Sequence, residues 1–355
     1  MSAAAVRDAL ARQVIGCRAL GSPLGAGLLE GALRDFDAGG ACRDVLGDWR
    51  GDPGSEALAL RFLGAVHRAV LRGEGAELAA HFPTMGGSPS FPGAAEALLR
   101  FVADQRESLR REIRQPVQTN EVARSAALYP GLLTVARATE LPLRLLEVGA
   151  SAGLNLICDR YAYRLGPHVR GRPDAPLTID AEWRGGDPPP DGLEVATRAG
   201  CDPAPVDARD PAQRLLLASF VWPDQLERWR RLEHALALAA EAPPSVERLG
   251  AAAFAARELS RPVPGAVTVI LHSVVWQYLD AAEREAFTAR VEEAGHRATQ
   301  DAPVAWLRLE GDGLPFPELG LQLWPGGDAH RLARSHWHGQ FVEWLSPGPP
   351  PTPGS

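Results

Sequence analysis

The sequence predicts an α/β protein in which a helical amino-terminal domain leads into an open, mainly parallel sheet. Three observations support this fold class. Apolar residues recur at helical spacing through residues 1–140, and no convincing alternating strand occurs there. The short apolar run Leu143–Val148 ends in the small-residue turn Gly149–Gly153, which is typical of a strand-to-helix corner. A second short apolar run, Val267–Leu271, predicts another buried strand.

Length and composition suggest two domains. The chain has 355 residues, 45% of them hydrophobic, which is enough for a large core. We place a helical domain at 1–117, a sheet domain at 118–345 and a disordered Pro/Gly-rich tail at 346–355. The sequence lacks both a membrane-spanning apolar run of about 18 residues and the layout of a secretory signal. We therefore expect a cytoplasmic protein with no membrane partner.

The net charge argues against nucleic acid as a partner, and the cysteine spacing argues against a zinc site and a disulfide framework. The net charge of −7 makes nucleic acid an unlikely ligand, because capture of a polyanion needs a basic surface. The cysteines lack C-x-x-C spacing, so we expect neither a zinc site nor a disulfide framework; they are Cys17, Cys42, Cys158 and Cys201.

The helical domain ends in a basic helix and a polar segment. A helix predicted over 94–113 leads into arginines stacked at i, i+4 and i+8, at Arg106, Arg110 and Arg114. We interpret these as a solvated face, with an anion site as the alternative. In the polar segment that follows, Asn120 could cap the next helix. The functional alternative is that this segment presents Gln118, Asn120 and Arg124 to a ligand carboxylate, which suits a guanidinium fork.

The turn after the first strand fits two of four known glycine patterns. It fails the G-x-G-x-x-G fingerprint and the P-loop, because Ser151 and Leu154 stand where glycines are needed and no lysine follows. It matches the G-x-S-x-G nucleophile elbow of serine hydrolases at Ser151. That elbow belongs to a strand in the middle of its sheet, whereas no strand is predicted before Leu143. The hydrolase is therefore a minor alternative.

The fourth pattern is acidic-x-Gly-x-x-x-Gly on Glu147, Gly149 and Gly153, which resembles the first motif of class I S-adenosylmethionine-dependent methyltransferases. The resemblance implies that the glycines let the backbone approach the methionine part of the cofactor, while the acidic residue helps to orient it. A glycine turn that merely closes a strand-to-helix corner is the structural alternative. The cofactor-binding residues implied are Glu147, Gly149, Ala150, Ser151, Gly153, Asn155, Asp202, Gln118 and Asn120.

The segment after the turn is expected to begin with a helix from Leu154 to Tyr161. An inserted β-hairpin is then predicted within 166–198, because two alternating runs flank a Pro-rich turn. Asp202 is our candidate for the acid at the end of the second core strand, where a carboxylate accepts ribose hydroxyls. Asp180 and Asp207 are its rivals.

The strand Val267–Leu271 is expected to deliver an acceptor-binding segment to the same crevice, because strand carboxyl ends face the ligand in such sheets. His272 is the candidate general base, since imidazole titrates near neutral pH. The alternative is a histidine that hydrogen-bonds to neighbouring backbone. The candidate acceptor-binding residues are Arg124, Ser273, Trp276, Gln277 and Tyr278, of which the aromatic ones could stack on a substrate or on the sulfonium.

The rest of the chain predicts the remaining core elements. Strands are expected at 246–249 and 304–310, and a closing hairpin at 319–344. His336 and His338 share one strand face, but no third metal ligand is evident, so we predict no metal site.

Longer segments identify a family resemblance. These are 118–125 before the turn, 200–207 and 271–278 after it, and the distal segments 220–225 and 337–344. The chain is identified on them as a member of a bacterial family called domain of unknown function 2332. That resemblance implies a Rossmann-like, methyltransferase-like fold without an established reaction. We therefore expect an S-adenosylmethionine-dependent methyltransferase acting on a small molecule, with a non-catalytic cofactor-binding or scaffold protein as the alternative and a hydrolase using Ser151 as the third.

Overall fold

A computed structural model describes residues 3–311 and 313–345 of the chain. These residues form two compact units. The first comprises the chain up to Thr119 together with 209–233, and the second comprises 120–208 and 234 onward. The sequence division at residue 117 differs from this partition in two respects: the first boundary falls after Thr119, and segment 209–233 groups with the amino-terminal residues. The predicted disordered tail at 346–355 lies outside the described residues.

The helices begin and end as follows: α1 Ala3–Ala19, α2 Pro23–Asp37, α3 Ala41–Leu46, α4 Leu58–Leu71, α5 Ala76–Ala79, α6 Phe91–Asp104, α7 Arg106–Glu112, α8 Ser125–Thr139, α9 Pro211–Ser219, α10 Leu226–Glu241, α11 Ala251–Glu258 and α12 Ala281–His296. The helix predicted over 94–113 is thus interrupted. Gln105 leaves helical geometry, with φ −106° and ψ 18°, and separates α6 from α7.

Segment 220–225, one of those that carry the family resemblance, has a structural role in the first unit. Asp224 accepts hydrogen bonds from the Ser22 hydroxyl at 2.6 Å and from the Leu24 N–H at 2.9 Å, at the start of α2. Gln225 donates to the Leu20 carbonyl oxygen at 2.8 Å. Segment 220–225 therefore ties the end of the first unit to its second helix by satisfying helix-start amides.

The strands are β1 Leu143–Val148, β2 Ala162–Leu165, β3 His168–Gly171, β4 Thr178–Gly185, β5 Val195–Asp202, β6 Val246–Arg248, β7 Val267–Ser273, β8 Val304–Glu310, β9 Glu318–Trp324, β10 Ala329–Ser335 and β11 Phe341–Trp344. They form one sheet in the order β3-β2-β4-β11-β10-β9-β8-β7-β1-β5-β6. The fold is therefore mixed α/β with a large sheet.

One half of the sheet is parallel and is arranged around β1. Strands β6, β5, β1, β7 and β8 run in the same direction. After β1 the chain builds outward on one side to β5 and β6, and then on the other side to β7 and β8. As predicted, β1 is the first strand within the described part of the chain. The order of the strands therefore reverses beside β1.

In the other half of the sheet, the hairpin predicted within 166–198 is wrong. The two runs expected to form a hairpin within 166–198 do become strands, as β4 and β5, but they do not pair with each other. β4 lies between β2 and β11, whereas β5 pairs with β1 and β6. The hairpin in this region is β2–β3 instead. Alternating side chains identify a strand but not its partner, because partner choice depends on distant residues. The predicted closing hairpin does form, as β9 and β10.

The helix expected from Leu154 to Tyr161 is also wrong. This stretch forms successive turns and a 3₁₀ helix at Cys158–Arg160. The Gly153 N–H donates to the Ala150 carbonyl oxygen at 2.7 Å and the Leu156 N–H to that of Gly153 at 3.1 Å, which is the i to i+3 pattern of tight turns. Gly153 has φ +70°, a value that an α-helix cannot contain.

Candidate functional site

The carboxyl ends of four parallel strands meet at one edge of the sheet. Glu147 of β1 lies opposite Gly200 of β5 and Leu271 of β7, and the next residue, Val148, lies opposite His272. On the far side of β7, Arg308 of β8 lies opposite His272, and β8 ends two residues later at Glu310. The residues predicted to bind a ligand on β1, β5 and β7 are therefore brought to a common edge, which we call the carboxyl edge.

The glycine turn that follows β1 has a backbone that requires glycine twice. Gly149 and Gly153 have φ +68° and +70°, values that favour glycine. A Cβ at Gly149 would lie 2.4 Å from a Val275 methyl group, and one at Gly153 would lie 2.4 Å from Pro244. Ser151 also has a positive φ, of +54°, which costs an L-residue about 1 kcal/mol or more. Contacts from elsewhere must hold it.

Asp202 supplies that contact. It is the last residue of β5, is 7% exposed, and accepts the Ser151 N–H at 3.0 Å and the Ala204 N–H at 2.8 Å. The predicted ribose acid thus stands at the expected strand end, where it fixes the glycine turn. Its rival Asp180 lies on β4 and pairs with Arg164 on an exposed surface, with Nε and Oδ1 2.7 Å apart. Asp207 is half-buried in the loop after β5.

Glu147 is a buried carboxyl with one unused oxygen. It is 2% exposed, and its Oε1 accepts from the Asn155 amide at 3.5 Å. Among the described residues neither Glu147 Oε2 nor Asn155 Oδ1 has a hydrogen-bond partner. Burial raises the pKa of the Glu147 carboxyl to about 8, against the opposing effects of Asn155 and Arg124. The carboxyl is therefore mainly protonated at neutral pH.

Arg124 brings a buried positive charge to the same place. It ends the 3₁₀ helix Val122–Arg124, is 6% exposed, and donates from Nη1 to the Ser273 carbonyl oxygen at 3.0 Å. Burial lowers the pKa of its guanidinium, while the nearby charges of Glu121, Glu310 and Glu147 raise it. Arg124 Nε and the Ser273 hydroxyl have no hydrogen-bond partner within the described part of the chain.

Four buried polar atoms therefore lie unpaired, within the described residues, at the carboxyl edge: Glu147 Oε2, Asn155 Oδ1, Arg124 Nε and Ser273 Oγ. We call them the four unpaired atoms. Each such atom costs about 1–3 kcal/mol when it is left without a partner. Buried polar groups in native proteins are nearly always satisfied, so a cluster of exceptions calls for a specific explanation. A bound polar molecule would supply the missing partners.

In the polar segment before α8, the expectation that Asn120 caps the next helix is wrong. Asn120 accepts the Leu154 N–H at 3.1 Å and so stabilises the glycine turn. The cap of the 3₁₀ helix is Glu121, which accepts the Ala123 N–H at 3.2 Å. Ala150 is fully buried and donates its N–H to the Cys201 carbonyl oxygen. Gln118 belongs to the first unit.

His272 has both ring nitrogens engaged. Its Nδ1 lies 2.7 Å from Glu310 Oε1 and its Nε2 lies 3.0 Å from Trp306 Nε1. Because an indole N–H only donates, Nε2 accepts and Nδ1 carries the proton. The ring is 1% exposed and stacks on Trp276, with centroids 5.2 Å apart. This geometry gives His272 a structural role and leaves no lone pair for proton abstraction.

Glu310 is a buried residue at the carboxyl edge that the sequence prediction did not select. It accepts the N–H groups of Val275 at 3.0 Å and Trp276 at 3.3 Å, in addition to the imidazole proton. It thereby holds the turn after β7, where Val274 has φ +56°, an unusual value for a β-branched residue. The signal was available, because Glu310 ends a predicted strand at the same edge.

The turn held by Glu310 presents the exposed part of the predicted acceptor segment. Trp276–Tyr278 form a 3₁₀ helix in which Gln277 and Tyr278 are exposed, Tyr278 by 55%. Trp276 is half-buried in the cluster with His272. These residues therefore separate into a solvent-facing pair and a packed tryptophan.

The chain was compared with known protein families, curated proteins and solved structures. A family model described as "Uncharacterized protein conserved in bacteria" matches residues 7–344. The chain belongs to the domain of unknown function 2332 family. Searches of curated proteins and of solved structures gave no match. Three segments carry the resemblance near the site. Segment 118–125 contributes residues to both units. Segments 200–207 and 271–278 include the last residues of β5 and β7, which lie at the carboxyl edge.

Four further properties bear on possible partners and ligands. No helix in the described residues is long and apolar enough to cross a membrane. No group of three or more histidine, cysteine or acidic side chains in that part of the chain is arranged to hold a metal ion. His336 and His338 interact with each other, since the His338 N–H donates to His336 Nδ1 at 3.1 Å. The four cysteines are buried and form no disulfide.

Proposed function

We propose that this protein is an S-adenosylmethionine-dependent methyltransferase with a small-molecule acceptor. The observation that carries the proposal is the position of the four unpaired atoms at the carboxyl edge, beside the point where strand order reverses. Numbered by their order in the parallel half, the strands β6-β5-β1-β7-β8 lie as 3-2-1-4-5. Doubly wound sheets with this order bind their ligands in the crevice at that reversal.

The residues at the carboxyl edge fit the amino-acid end of such a cofactor. Glu147 Oε2 and Asn155 Oδ1 would accept from its ammonium group, while Arg124 Nε and Ser273 Oγ would donate to its carboxylate. Asp202 would accept ribose hydroxyls while it continues to hold the Ser151 amide. When bound, the cofactor supplies an activated methyl group on a sulfonium.

The chain's own contribution to transfer would be alignment and exclusion of water. The buried turn residues would hold one reactant, and Gln277 and Tyr278, which are exposed, would contact the other. Correct placement alone is worth about 7–11 kcal/mol in well-oriented reactions. We assign no general base, because the His272 nitrogens are bonded to Glu310 and Trp306.

The second candidate is a protein that binds the cofactor without turnover. It is favoured by the same engagement of His272 and by the bonds that Asp202 and Asn120 already make to turn amides. The hydrolase alternative has less support. Ser151 is 2% exposed, and its backbone N–H and carbonyl oxygen bond to Asp202 and Val206.

Calorimetry with S-adenosylmethionine and S-adenosylhomocysteine tests the proposal. Both should bind the wild-type chain, and Gly149→Val should abolish binding because its side chain would collide with Val275. Gly186→Val is the matched control, since a Cβ there meets nothing within 4 Å. Glu147→Gln, which preserves side-chain shape, separates loss of a contact from misfolding. Failure of both ligands to bind the wild type would end the proposal.

Turnover needs a separate measurement. A methylation screen on cell extract with labelled cofactor should yield a small labelled product. Binding without any product would favour the non-catalytic candidate. Labelling of Ser151 by a fluorophosphonate probe, together with no cofactor binding, would favour the hydrolase.

A further inference from the structure

The first unit contains a cleft of about 880 Å³ that the proposed function does not use. Its walls come from the connection between α3 and α4 and from α7 with the residues just after it. The polar lining consists of Asp48, Trp49, Arg50, Arg110 and Arg114. The volume lies within the range of roughly 300–1,000 Å³ that is typical of small-molecule sites.

The cleft is more positive than the chain that contains it. Arg110 is held in place, because its Nε donates to the Asp44 carbonyl oxygen at 2.8 Å and its Nη1 pairs with Glu107 at 2.8 Å. Arg50 and Arg114 are exposed, and neither guanidinium has a hydrogen bond or ion pair with any residue that the structure describes. The whole chain has a net charge of −7, whereas the lining of the cleft contains these two arginines and a single acid, Asp48.

The Trp49 ring, which lines the cleft, is held by a contact with Arg61. The Arg61 guanidinium lies 5.2 Å from the Trp49 ring centroid and donates to the Arg114 carbonyl oxygen at 3.0 Å. The Trp49 indole N–H is buried and has no acceptor among the described residues. Val45 and Ile113 add a buried apolar part. Apart from Asp48, the side chains that line the cleft offer only hydrogen-bond donors and apolar surface.

We propose that this cleft binds a small organic polyanion through phosphate or carboxylate oxygens. A guanidinium presents two parallel N–H groups that match either kind of oxygen pair. The arginines at Arg50 and Arg114 supply these forks, while Val45 and Ile113 accommodate the carbon part of the ligand. The site is independent of the carboxyl edge, so neither proposal depends on the other.

Binding should have two properties that follow from the residues. It should weaken as salt concentration rises, because exposed charges are screened beyond a Debye length of about 10 Å at 0.1 M. Titration of the two arginines should not lower the affinity between pH 6 and pH 9, because arginine stays protonated throughout that range.

The experiment is titration calorimetry of the full-length chain with pyrophosphate and, separately, with citrate at low salt. We expect one site per chain for at least one of them. The double variant Arg50→Gln/Arg114→Gln should weaken binding by about tenfold or more, since hydrogen bonds to charged groups are the strong ones. Arg111→Gln is the control, because Arg111 is an exposed arginine of α7, three residues before Arg114, that does not line the cleft. It should change affinity less than about twofold.

Three results would overturn the proposal. The first is no binding of either anion. The second is an equal loss in the control and the double variant, which would mean diffuse electrostatic attraction. The third is binding of a short RNA far more tightly than either anion through the same two arginines. Because both substituted side chains are exposed, the thermal unfolding of the double variant should be unchanged, which separates lost binding from misfolding.

Discussion

Replacing Glu147 by glutamine should stabilise the protein in alkaline solution. The pKa of this carboxyl is about 8 in the folded chain against an ordinary value of 4.5, because burial disfavours its charged form. Between these values the folded state binds more protons than the unfolded state, so stability falls as pH rises. At about 1.4 kcal/mol per pKa unit, the full loss is of order 5 kcal/mol above pH 8.

Glutamine cannot ionise, and so it avoids that loss. Glu147→Gln and the wild type should have similar free energies of unfolding near pH 4.5, and the variant should be more stable by roughly 3 kcal/mol at pH 7 and by more at pH 8.5. Urea unfolding followed by circular dichroism at these three pH values measures the difference. Glu285→Gln, at an exposed position of α12, is the control and should show no such trend.

The reasoning would be refuted by a difference between Glu147→Gln and wild type that does not change with pH. A variant that is less stable than wild type at pH 8.5 would have the same meaning. Either result would indicate that the Glu147 carboxylate is solvated or paired in solution, and the case for a ligand site at this residue would be weakened.

Three further changes have expected outcomes. Binding of S-adenosylhomocysteine at pH 7 should release up to about 0.9 proton from Glu147, because a nearby ammonium favours its charged form; calorimetry in two buffers of different ionisation enthalpy measures this. Asp202→Asn should lower the free energy of unfolding by about 1–3 kcal/mol, since it weakens the bond that holds Ser151 at positive φ, as urea titration would show. Trp306→Phe should cost a similar amount of about 1–3 kcal/mol by leaving His272 Nε2 without its donor, and an unchanged midpoint would contradict the assigned tautomer.

The sequence predicted the elements around the site well, because local runs determine them. The apolar runs of β1, β7 and β8 and the glycine turn could be located without any distant information. Asp202 could be placed at the end of the second core strand for a general reason, since parallel strands share one carboxyl edge. The ligand assigned to these residues remains a prediction.

What the sequence could not predict were partners that lie far apart along the chain. β4 and β5 were both recognised as strands, yet their pairing depended on β11 and β1. His272 was predicted to be a general base. Its hydrogen bonds to Trp306 and Glu310 could not be foreseen, because both partners lie on β8, far from His272 along the chain. The stretch after the turn that was predicted to be helical forms tight turns and a 3₁₀ helix instead, a difference that the small-residue pattern leaves ambiguous.

The separation of Arg124 from Glu147 leads to a last prediction. The two buried groups are close enough to affect each other's pKa, but within the described residues they form no ion pair. Arg124 is held by the Ser273 carbonyl oxygen and Glu147 by its strand and Asn155. A guanidinium and an ionisable carboxyl kept apart in this way suit a zwitterion whose ammonium meets Glu147, which then loses its proton, and whose carboxylate meets Arg124.

If this assignment is right, the amino-acid part of the ligand should carry most of the affinity. S-adenosylhomocysteine keeps both charged groups, whereas 5′-methylthioadenosine lacks them but retains the adenosine and sulfur. Losing two charged hydrogen bonds should weaken binding on the order of 100-fold or more. The comparison is made by calorimetry on wild type and on Arg124→Gln, in which the two ligands should differ much less. Equal affinity of both ligands for the wild type would show that Arg124 and Glu147 do not hold an amino-acid group, even if the adenosine part binds at the carboxyl edge.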